Sequence, residues 1–477
     1  MPKIILATIN AKWIHPSLAL RLLKANLKEL ENECEILEFA LRQPLNEKLS
    51  PILSSGALVF GLSISVWNHL ASLELLKELH AKWHAHQKPI VVLGGPEVSF
   101  LDENSSIFQY SDYVIRGEGE ESFRLLCMDL LGGDNPKTLE TRPVFINNKE
   151  EKIDLLKASF AYHYYSEEDL KKKHVYVETS RGCPFSCAYC QAYSSCGNRA
   201  FPLDNICKEI EDLVVRGAKK IKFLDRSFNL NNDRAAAILE FLLSLFKEND
   251  LHSICFHFEL LPFRISPKLK EILGRFPANS LRLELGIQTF NIETAKLIKR
   301  PFTSLEMNEE AENLEYLRYN TNAILHVDLI AGLPGESMLS FKNGFDRLWR
   351  ILNHKDKNTN NKFEIQLGIL KGLPGTDILK LKESMNMRYS DIAPYEVLET
   401  GVMSFEEINS LKNFARFWEL LVNRNPFPSI INSVLTSKTE VFDTFMELSN
   451  NLYKHFGKNW GIDKKEMSMF LKSYIVN

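Results

Sequence analysis

The sequence is short of net charge and of long apolar runs. Its 477 residues carry 58 Lys and Arg against 61 Asp and Glu, a formal charge of -3. No overall field draws such a chain to a polyanion, which argues against an extended nucleic-acid partner. No apolar stretch approaches the ~20 residues of a membrane span, since Ala57 to Val66 is interrupted by Gly61, Ser63 and Ser65. After Met1-Pro2-Lys3, the run Ile4 to Ile9 is too short for the core of a signal peptide and no small-residue cleavage site follows it. A cytoplasmic protein without a membrane span is expected. Eight cysteines in so long a chain do not make a disulfide framework in a reducing compartment, so their positions point to metal binding or catalysis. There is no G-x-x-x-x-G-K-[ST], and no G-x-G-x-x-G follows the first apolar run, which removes the ordinary nucleotide loops.

The composition, 45% hydrophobic and 25% charged, supports a large buried core, and the length suggests about three domains. From Lys3 to Leu131, β-rich runs (Lys3 to Ile9, Cys34 to Phe39, Leu58 to Ser63, Ile90 to Gly94, Tyr113 to Arg116) alternate with amphipathic stretches such as Ser17 to Leu30 and His69 to Trp83. That rhythm predicts a five-strand doubly wound α/β domain over 1–135. Breakers at Gly132-Gly133-Asp134-Asn135-Pro136 and a charged stretch containing Lys171-Lys172-Lys173 suggest a linker over 136–173. Strands near Val175 to Thr179, Lys220 to Asp225, Cys255 to Glu259, Leu281 to Gly286, Ala323 to Leu329 and Phe363 to Leu370 predict a partial (β/α)6 barrel over 174–387. After Pro374-Gly375 only helical periodicity is legible, as in Phe405 to Leu421 and Val441 to Phe456, so 388–477 is expected to be a helical C-terminal domain.

The first barrel strand runs into Ser180-Arg181-Gly182-Cys183-Pro184-Phe185-Ser186-Cys187-Ala188-Tyr189-Cys190. Zinc sites favour paired CxxC units and four ligands; a solitary CxxxCxxC better suits an iron–sulfur cluster with one iron open. The loop resembles that of the radical S-adenosylmethionine (SAM) superfamily. The resemblance implies that Cys183, Cys187 and Cys190 hold a [4Fe–4S] cluster whose fourth iron takes the amino and carboxylate groups of SAM. It places Tyr189 beside adenine, Asp225 at the SAM amino group, Glu284 and Gln288 near the ribose and carboxylate, and Gly332 of Gly332-Leu333-Pro334-Gly335 against adenine. Asp225, Glu259 and Glu284 lie at or near predicted strand ends, where the alternative is a structural ion pair. Cys196, Cys207, Cys255, Cys34 and Cys127 read as packing residues.

In doubly wound sheets ligands bind beyond the carboxyl ends of the strands. The segments Ser63-Ile64-Ser65-Val66-Trp67, Gly94-Gly95-Pro96-Glu97 and Gly117-Glu118-Gly119-Glu120 resemble the cobalamin-binding domain that precedes many radical SAM barrels. The resemblance gives Gly94, Gly95 and Pro96 to the nucleotide tail and Ser63, Ser65, Val66 and Trp67 to the lower corrin face, with Glu97 also binding the cofactor. Asn10 and Gly117 also join this binding face, and Glu118 goes to tail hydroxyls, its alternative being a charge at a helix N-terminus. The domain's usual D-x-H-x-x-G is absent, which implies base-off cobalamin with no histidine below cobalt. His15 reads as a polar residue before the helix that opens at Pro16 and Ser17.

Taken together, the chain resembles the cobalamin-dependent radical SAM proteins. The resemblance implies a cobalamin-dependent radical SAM methyltransferase acting on an unactivated carbon: one SAM methylates cobalamin and a second yields the 5′-deoxyadenosyl radical. Cyclisation, oxidation or rearrangement, or a non-catalytic cobalamin or redox sensor, are the alternatives. Methylthiolation is disfavoured because its second cluster needs an N-terminal cysteine triad and the first domain has only Cys34 and Cys127. A small-molecule, lipid or peptide substrate and a low-potential donor such as flavodoxin or ferredoxin are the expected partners. The tail's Phe405, Phe414, Phe417 and Trp418 are expected to close the barrel's lateral opening.

Overall fold

In the computed structural model, Ile4–Asn10 (β1), Cys34–Ala40 (β2), Val59–Ser63 (β3), Ile90–Gly94 (β4), Tyr113–Gly117 (β5) and Val144–Asn148 (β6) form a parallel sheet in the order β2-β1-β3-β4-β5-β6. The structure describes residues 1–83, 88–132, 143–148, 152–194, 197–248, 254–300, 304–353, 362–435 and 440–476; Cys196 and the expected breakers at 133–136 lie outside them. Chain contacts divide the protein into two compact units, Met1–Pro184 with Gln191–Asp225, and Phe185–Cys190 with Arg226–Asn477.

In the first unit every residue from Ile4 to Ile9 is buried, as in a strand covered on both faces. Ile5, Ala7, Ile9, Phe60, Leu62, Val91 and Leu93 pack on one face with Leu75, Leu76 and Leu79 of helix His69–Lys82. Ile4, Leu6, Val59, Val92 and Ile115 pack on the other with Leu20 of helix Leu18–Ala25 and Phe123 of helix Glu120–Gly132. Each fully buried Leu, Ile or Phe contributes roughly 1.5–3 kcal/mol. Strand order reverses at β1, so Asn10, Ser63, Gly94 and Gly117 end their strands on the face where such sheets take ligands.

Two expectations need correction. The sheet has six strands rather than five, because β6, inside the segment read as a linker, pairs with β5 from Tyr113↔Val144 to Gly117↔Asn148. This edge strand buries only Asn148 fully, which left little periodicity to read; it is held by Arg116 over the Phe145 ring at 4.5 Å. Helix Glu167–Lys172 also falls in the supposed linker, opened by a capping box of Ser166 and Asp169. Second, the strand expected over Val175 to Thr179 stops early: Val175–Val177 (β7) gives way to Ser180–Arg181 (β8), antiparallel to Arg199–Ala200 (β9). Lys220–Phe223 (β10) pairs with β7 in parallel register, Ile221↔Val175 to Phe223↔Val177. The other edge of β7 is met by side chains. Tyr165 Oη accepts from Tyr176 N–H (3.1 Å) and donates to Tyr176 C=O (3.0 Å), and Tyr162 Oη does the same for Glu178 at 3.1 and 3.3 Å.

In the second unit Cys255–Leu260 (β11), Leu281–Gln288 (β12), Ile324–Ala331 (β13) and Phe363–Ile369 (β14) run parallel and adjacent in that order. Burial alternates strictly along β11, β12 and β13. The apolar set (Phe256, Phe258, Leu283, Leu285, Leu325, Val327) is fully buried, while His257, Glu259, Arg282, Glu284, His326 and Asp328 share the opposite face. The tail is not purely helical. Arg388–Tyr389 (β15) and Val397–Glu399 (β16) pair antiparallel before helices Phe405–Trp418, Pro428–Leu435, Phe442–Phe456 and Lys464–Val476. Phe405 is exposed, but Phe414, Phe417 and Trp418 are buried. Phe345 meets Trp418 edge-on at 4.8 Å and Phe414 stacks on Phe442 at 4.9 Å. Asn423 donates to Ile365 C=O (3.0 Å) and accepts from Ile365 N–H (3.2 Å), which occupies the outer edge of β14. No helix among the described residues is long and apolar enough to cross a membrane.

Candidate cofactor sites

Glycine starts the cysteine loop: Gly182 has φ +91°, a left-handed conformation that an L side chain resists, immediately before Cys183. Cys183, Cys187 and Cys190 are all half-buried. The Cys190 N–H donates to Cys187 C=O at 3.0 Å, and Ala188 between them bonds Ile298 C=O (2.8 Å) and Ile378 N–H (2.7 Å). The contrast with Cys34 and Cys127 is chemical. Burial pushes the Cys34 thiol up to about 12 and the Cys127 thiol higher still, so neither is available as thiolate. Three accessible thiols on one anchored loop fit a cluster that needs three protein ligands.

Tyr189 is held in this loop by a residue that sequence reading missed. Arg300 hydrogen-bonds the Tyr189 hydroxyl, whose pKa burial pushes up. The same guanidinium donates to Gly286 C=O and to Glu310 at 3.3 Å. Burial pushes the Glu310 carboxyl up to about 8 against the opposing pull of Arg300. Nothing local marks Arg300 in the sequence except an arginine before a proline.

At the end of β12 the register shifts between Gly286 and Gln288, and Gln288 has φ +68°. A Cβ on Gly286 would lie 2.5 Å from Gln288 Nε2, so a larger residue there would displace the Gln288 carboxamide. Gln288 Oε1 is buried with no hydrogen-bond partner among the described residues. An orphan acceptor is costly; a hydroxyl-bearing ligand such as the SAM ribose would satisfy it. Asp225, by contrast, is engaged within the protein. Its carboxylate accepts from Thr179 N–H (2.9 Å), Thr179 Oγ1 (2.6 Å) and Ser180 Oγ (2.6 Å), donors that oppose the upward push of burial.

Glu284 sits in the middle of β12 rather than at its end, 3.0 Å from His257 Nε2, a contact that is an ion pair only when the imidazole is protonated, and Glu259 lies 3.7 Å from Arg226. Beside them His326 lies 3.0 Å from Glu364 and 3.4 Å from Asp328. Burial lowers the imidazole pKa, but those two carboxylates raise it on balance to about 9. Gly332 has φ +83°, and a Cβ there would lie 2.6 Å from Val397 Cγ1, so its close approach is to the tail. Glu336, four residues on, accepts from Thr289 Oγ1 at 2.6 Å, and burial pushes its carboxyl up to about 7.

On the first unit's ligand face the loops after β3 and β4 interlock. Ile64 N–H donates to Gly94 C=O (2.8 Å) and Glu97 N–H to Ile64 C=O (3.1 Å). Gly95 has φ +102°, and a Cβ on it would strike Ile64 O at 2.6 Å and Ile64 N at 2.8 Å; above Gly94 the nearest atom is Ile115 O at 3.8 Å. Asn68, fully buried at the end of the loop after β3, accepts from Ser65 N–H (2.8 Å) and donates to Ile9 C=O (2.9 Å). Ser65 is buried, Ser63 and Val66 half-buried, Pro96 exposed and Trp67 53% exposed. An exposed indole after β3 and a glycine after β4 that would admit a methyl group without a clash suit a flat ligand such as a corrin. Glu97 points inward to His69 at 3.1 Å, and Asn10 donates to Glu38 at 3.0 Å. Gly117, with φ +89°, donates its N–H to Ser99 Oγ at 3.1 Å. His15 bonds Tyr176 Oη at 2.6 Å and stacks on His174, and burial lowers its pKa; Ser17 caps the helix.

Glu118 is committed to protein partners. It pairs with Arg199, accepts from Ile153 N–H at 3.1 Å, and lies 3.6 Å from Arg181. Arg181 also reaches Glu120 (2.7 Å) and Glu178 (2.8 Å).

Comparison with known proteins follows the same division. The family model described as "B12 binding domain" matches residues 3–126, "Radical SAM superfamily" matches 177–348, and "Protein of unknown function (DUF4080)" matches 383–475. A 2-(S-pantetheinyl)-carbapenam-3-carboxylate methyltransferase of Streptantibioticus cattleyicolor is 25% identical over 355 residues, 66% of this chain and 47% of that protein. A tRNA-2-methylthio-N(6)-dimethylallyladenosine synthase of Verminephrobacter eiseniae is 23% identical over 282 residues, 56% of this chain and 59% of that protein. The chain thus spans about half the length of these relatives. Among solved structures, the cobalamin-dependent SAM radical enzyme OxsB with aqua-cobalamin and SAM bound shares the fold at TM-score 0.64 and 16% identity, over 99% of this chain and 75% of that one.

Proposed function

Because this chain is a cobalamin-binding radical SAM protein, a B12-binding domain followed by a radical SAM domain, we propose that it is a methyltransferase that places a SAM-derived methyl group on an unactivated carbon. The observation that carries the reading is the tandem of the two domains in a chain whose relatives include a methyltransferase matched over 66% of its length. When bound, the cluster and SAM supply a 5′-deoxyadenosyl radical and cobalamin supplies a transferable methyl group.

The chain's own residues bind, orient and exclude water. Cys183, Cys187 and Cys190 hold the cluster. Arg300 fixes Tyr189 in the same loop, and Gln288 Oε1 accepts from the SAM ribose. Trp67, Val66 and Ser63 take the lower corrin face, and Gly94 gives the nucleotide tail room. Methylthiolation, the activity named for the tRNA-modifying relative, is disfavoured, since Cys34 and Cys127 are sealed in the first core and held as thiols. A small molecule, a lipid or a peptide is the substrate range, with a low-potential flavodoxin or ferredoxin as donor in the cytoplasm.

The test uses reconstituted protein, reductant, hydroxocobalamin and SAM labelled in its methyl group. Label is expected in the product. Unmethylated product formed with an equimolar yield of deoxyadenosine would overturn the reading in favour of cyclisation, oxidation or rearrangement, and failure to cleave SAM at all would favour a sensor.

A further inference from the structure

The cysteine loop is closed at its base by a short ladder, Arg181 opposite Arg199, with Ser180 opposite Ala200. Both arginines grip the same turn of the first domain. Arg199 pairs with Glu118 and donates to Ile153 C=O at 2.8 Å. Arg181, with a side chain only 10% exposed, spreads its guanidinium over Glu120 at 2.7 Å, Glu178 at 2.8 Å and Glu118 at 3.6 Å. Glu118 and Glu120 leave β5 and open helix Glu120–Gly132, while Glu178 follows β7. The turn after β5, distant in sequence, therefore meets both ends of the segment that carries the cysteines, and Glu178 joins it from the end of β7. A surface ion pair is worth little, but removing one member of a buried, forked set leaves the others uncompensated.

We propose that Arg181 and Arg199 are positioning residues, held by Glu118 and Glu120, that fix both ends of the cysteine loop so that its thiolates are presented in one arrangement. This rests on reading Cys183, Cys187 and Cys190 as the cluster ligands. It also gives Glu118 a role as an anchor of that loop in place of the expected contact with the cobalamin tail. The planar fork matters as much as the charge: a lysine at 181 keeps the charge but meets the three carboxylates through one rotating ammonium group.

The experiment compares reconstituted full-length protein with Arg181→Lys, Glu120→Gln, the double variant, and Glu121→Gln. Glu121 lies on the same helical turn but pairs with Arg124. Iron content, melting temperature, SAM cleavage measured as deoxyadenosine, and the paramagnetic resonance spectrum of the reduced cluster with SAM are recorded for each. Arg181→Lys is expected to melt near the parent and to cleave SAM about a hundredfold more slowly, the cost of an ångström-scale misplacement of reacting groups. Its SAM-bound spectrum should change shape. Because the two residues act as one contact, the double variant should be no slower than Arg181→Lys alone, and Glu121→Gln should match the parent. Loss of iron with an unchanged melting temperature supports the proposal equally. Parental cleavage and spectrum in Arg181→Lys, or additive losses in the double variant, would overturn it. If Arg181→Lys does not fold, Arg199→Lys makes the same test from the other end of the loop. Failure of the underlying reading looks different, because Cys183→Ala would then keep full iron and cleavage.

Discussion

Gly95 and Gly94 are adjacent, yet an added methyl group should act on them in opposite ways. At Gly95 the backbone sits at φ +102°, and an alanine Cβ would fall 2.6 Å from Ile64 O and 2.8 Å from Ile64 N. Neither atom belongs to a side chain that can turn away. Alanine in the left-handed region costs about 1–2 kcal/mol, and relief of the clash must part the loops joined by Ile64 N–H to Gly94 C=O and Glu97 N–H to Ile64 C=O, bonds worth about 1 kcal/mol each. Gly95→Ala is therefore expected to lose about 3 kcal/mol, a fall of roughly 6–12 °C in melting temperature for a unit of this size. At Gly94 the nearest atom is 3.8 Å away, so Gly94→Ala should change stability by no more than ~0.5 kcal/mol. Its methyl group instead stands on the ligand face, where a loss of about 1.4 kcal/mol weakens corrinoid binding tenfold. Thermal melts of the two apo variants and hydroxocobalamin titrations followed by visible absorbance separate the effects. A Gly95→Ala protein that melts with the parent, or a Gly94→Ala protein that binds corrinoid normally, would refute the reasoning.

Replacing Cys183, Cys187 or Cys190 with Ala should abolish the visible absorption of the reconstituted cluster together with SAM cleavage; full retention of iron would contradict the assignment. The reduced cob(II)alamin form should show no nitrogen splitting from the protein in paramagnetic resonance, because His15 is bound to Tyr176 and His69 to Glu97; such splitting would place a histidine under cobalt. His326, raised from 6.5 to about 9, contributes stability that is complete below pH 6.5 and is lost as pH rises through 9. The shift corresponds to about 3 kcal/mol. Melting temperatures across that window should fall in the parent more than in His326→Gln, and parallel curves would remove His326 as the cause.

The sequence was most readable where one residue's neighbours in the chain are also its partners in function. Cys183, Cys187 and Cys190 share a loop, and the uninterrupted apolar run of β1 announces a strand covered on both faces. The apolar cores of β11 to β13 follow from strict alternation. What stayed hidden depends on long-range pairing of charged residues. Arg181 with Glu120, and Arg300 with Tyr189 and Glu310, are pairings that no local pattern in the sequence announces. Glu284 looked like a strand-end acid because β12 was read as ending at Gly286, whereas the strand continues through a register shift to Gln288. β6 was missed because an edge strand with one fully buried residue carries almost no periodic signal.

The way β7 and β14 end has a consequence for self-association. A strand with unpaired amides is a template on which another chain can grow. Here the outward pairs of three residues are already spent. One tyrosine hydroxyl is donor and acceptor together, so Tyr165 saturates Tyr176 of β7, Tyr162 saturates Glu178 just after it, and the Asn423 carboxamide does the same for Ile365 of β14. An incoming strand would have to evict these groups before bonding at those residues. Three side chains thus act as local terminators, each within its own unit, at strand edges that would otherwise offer a template for polymer growth.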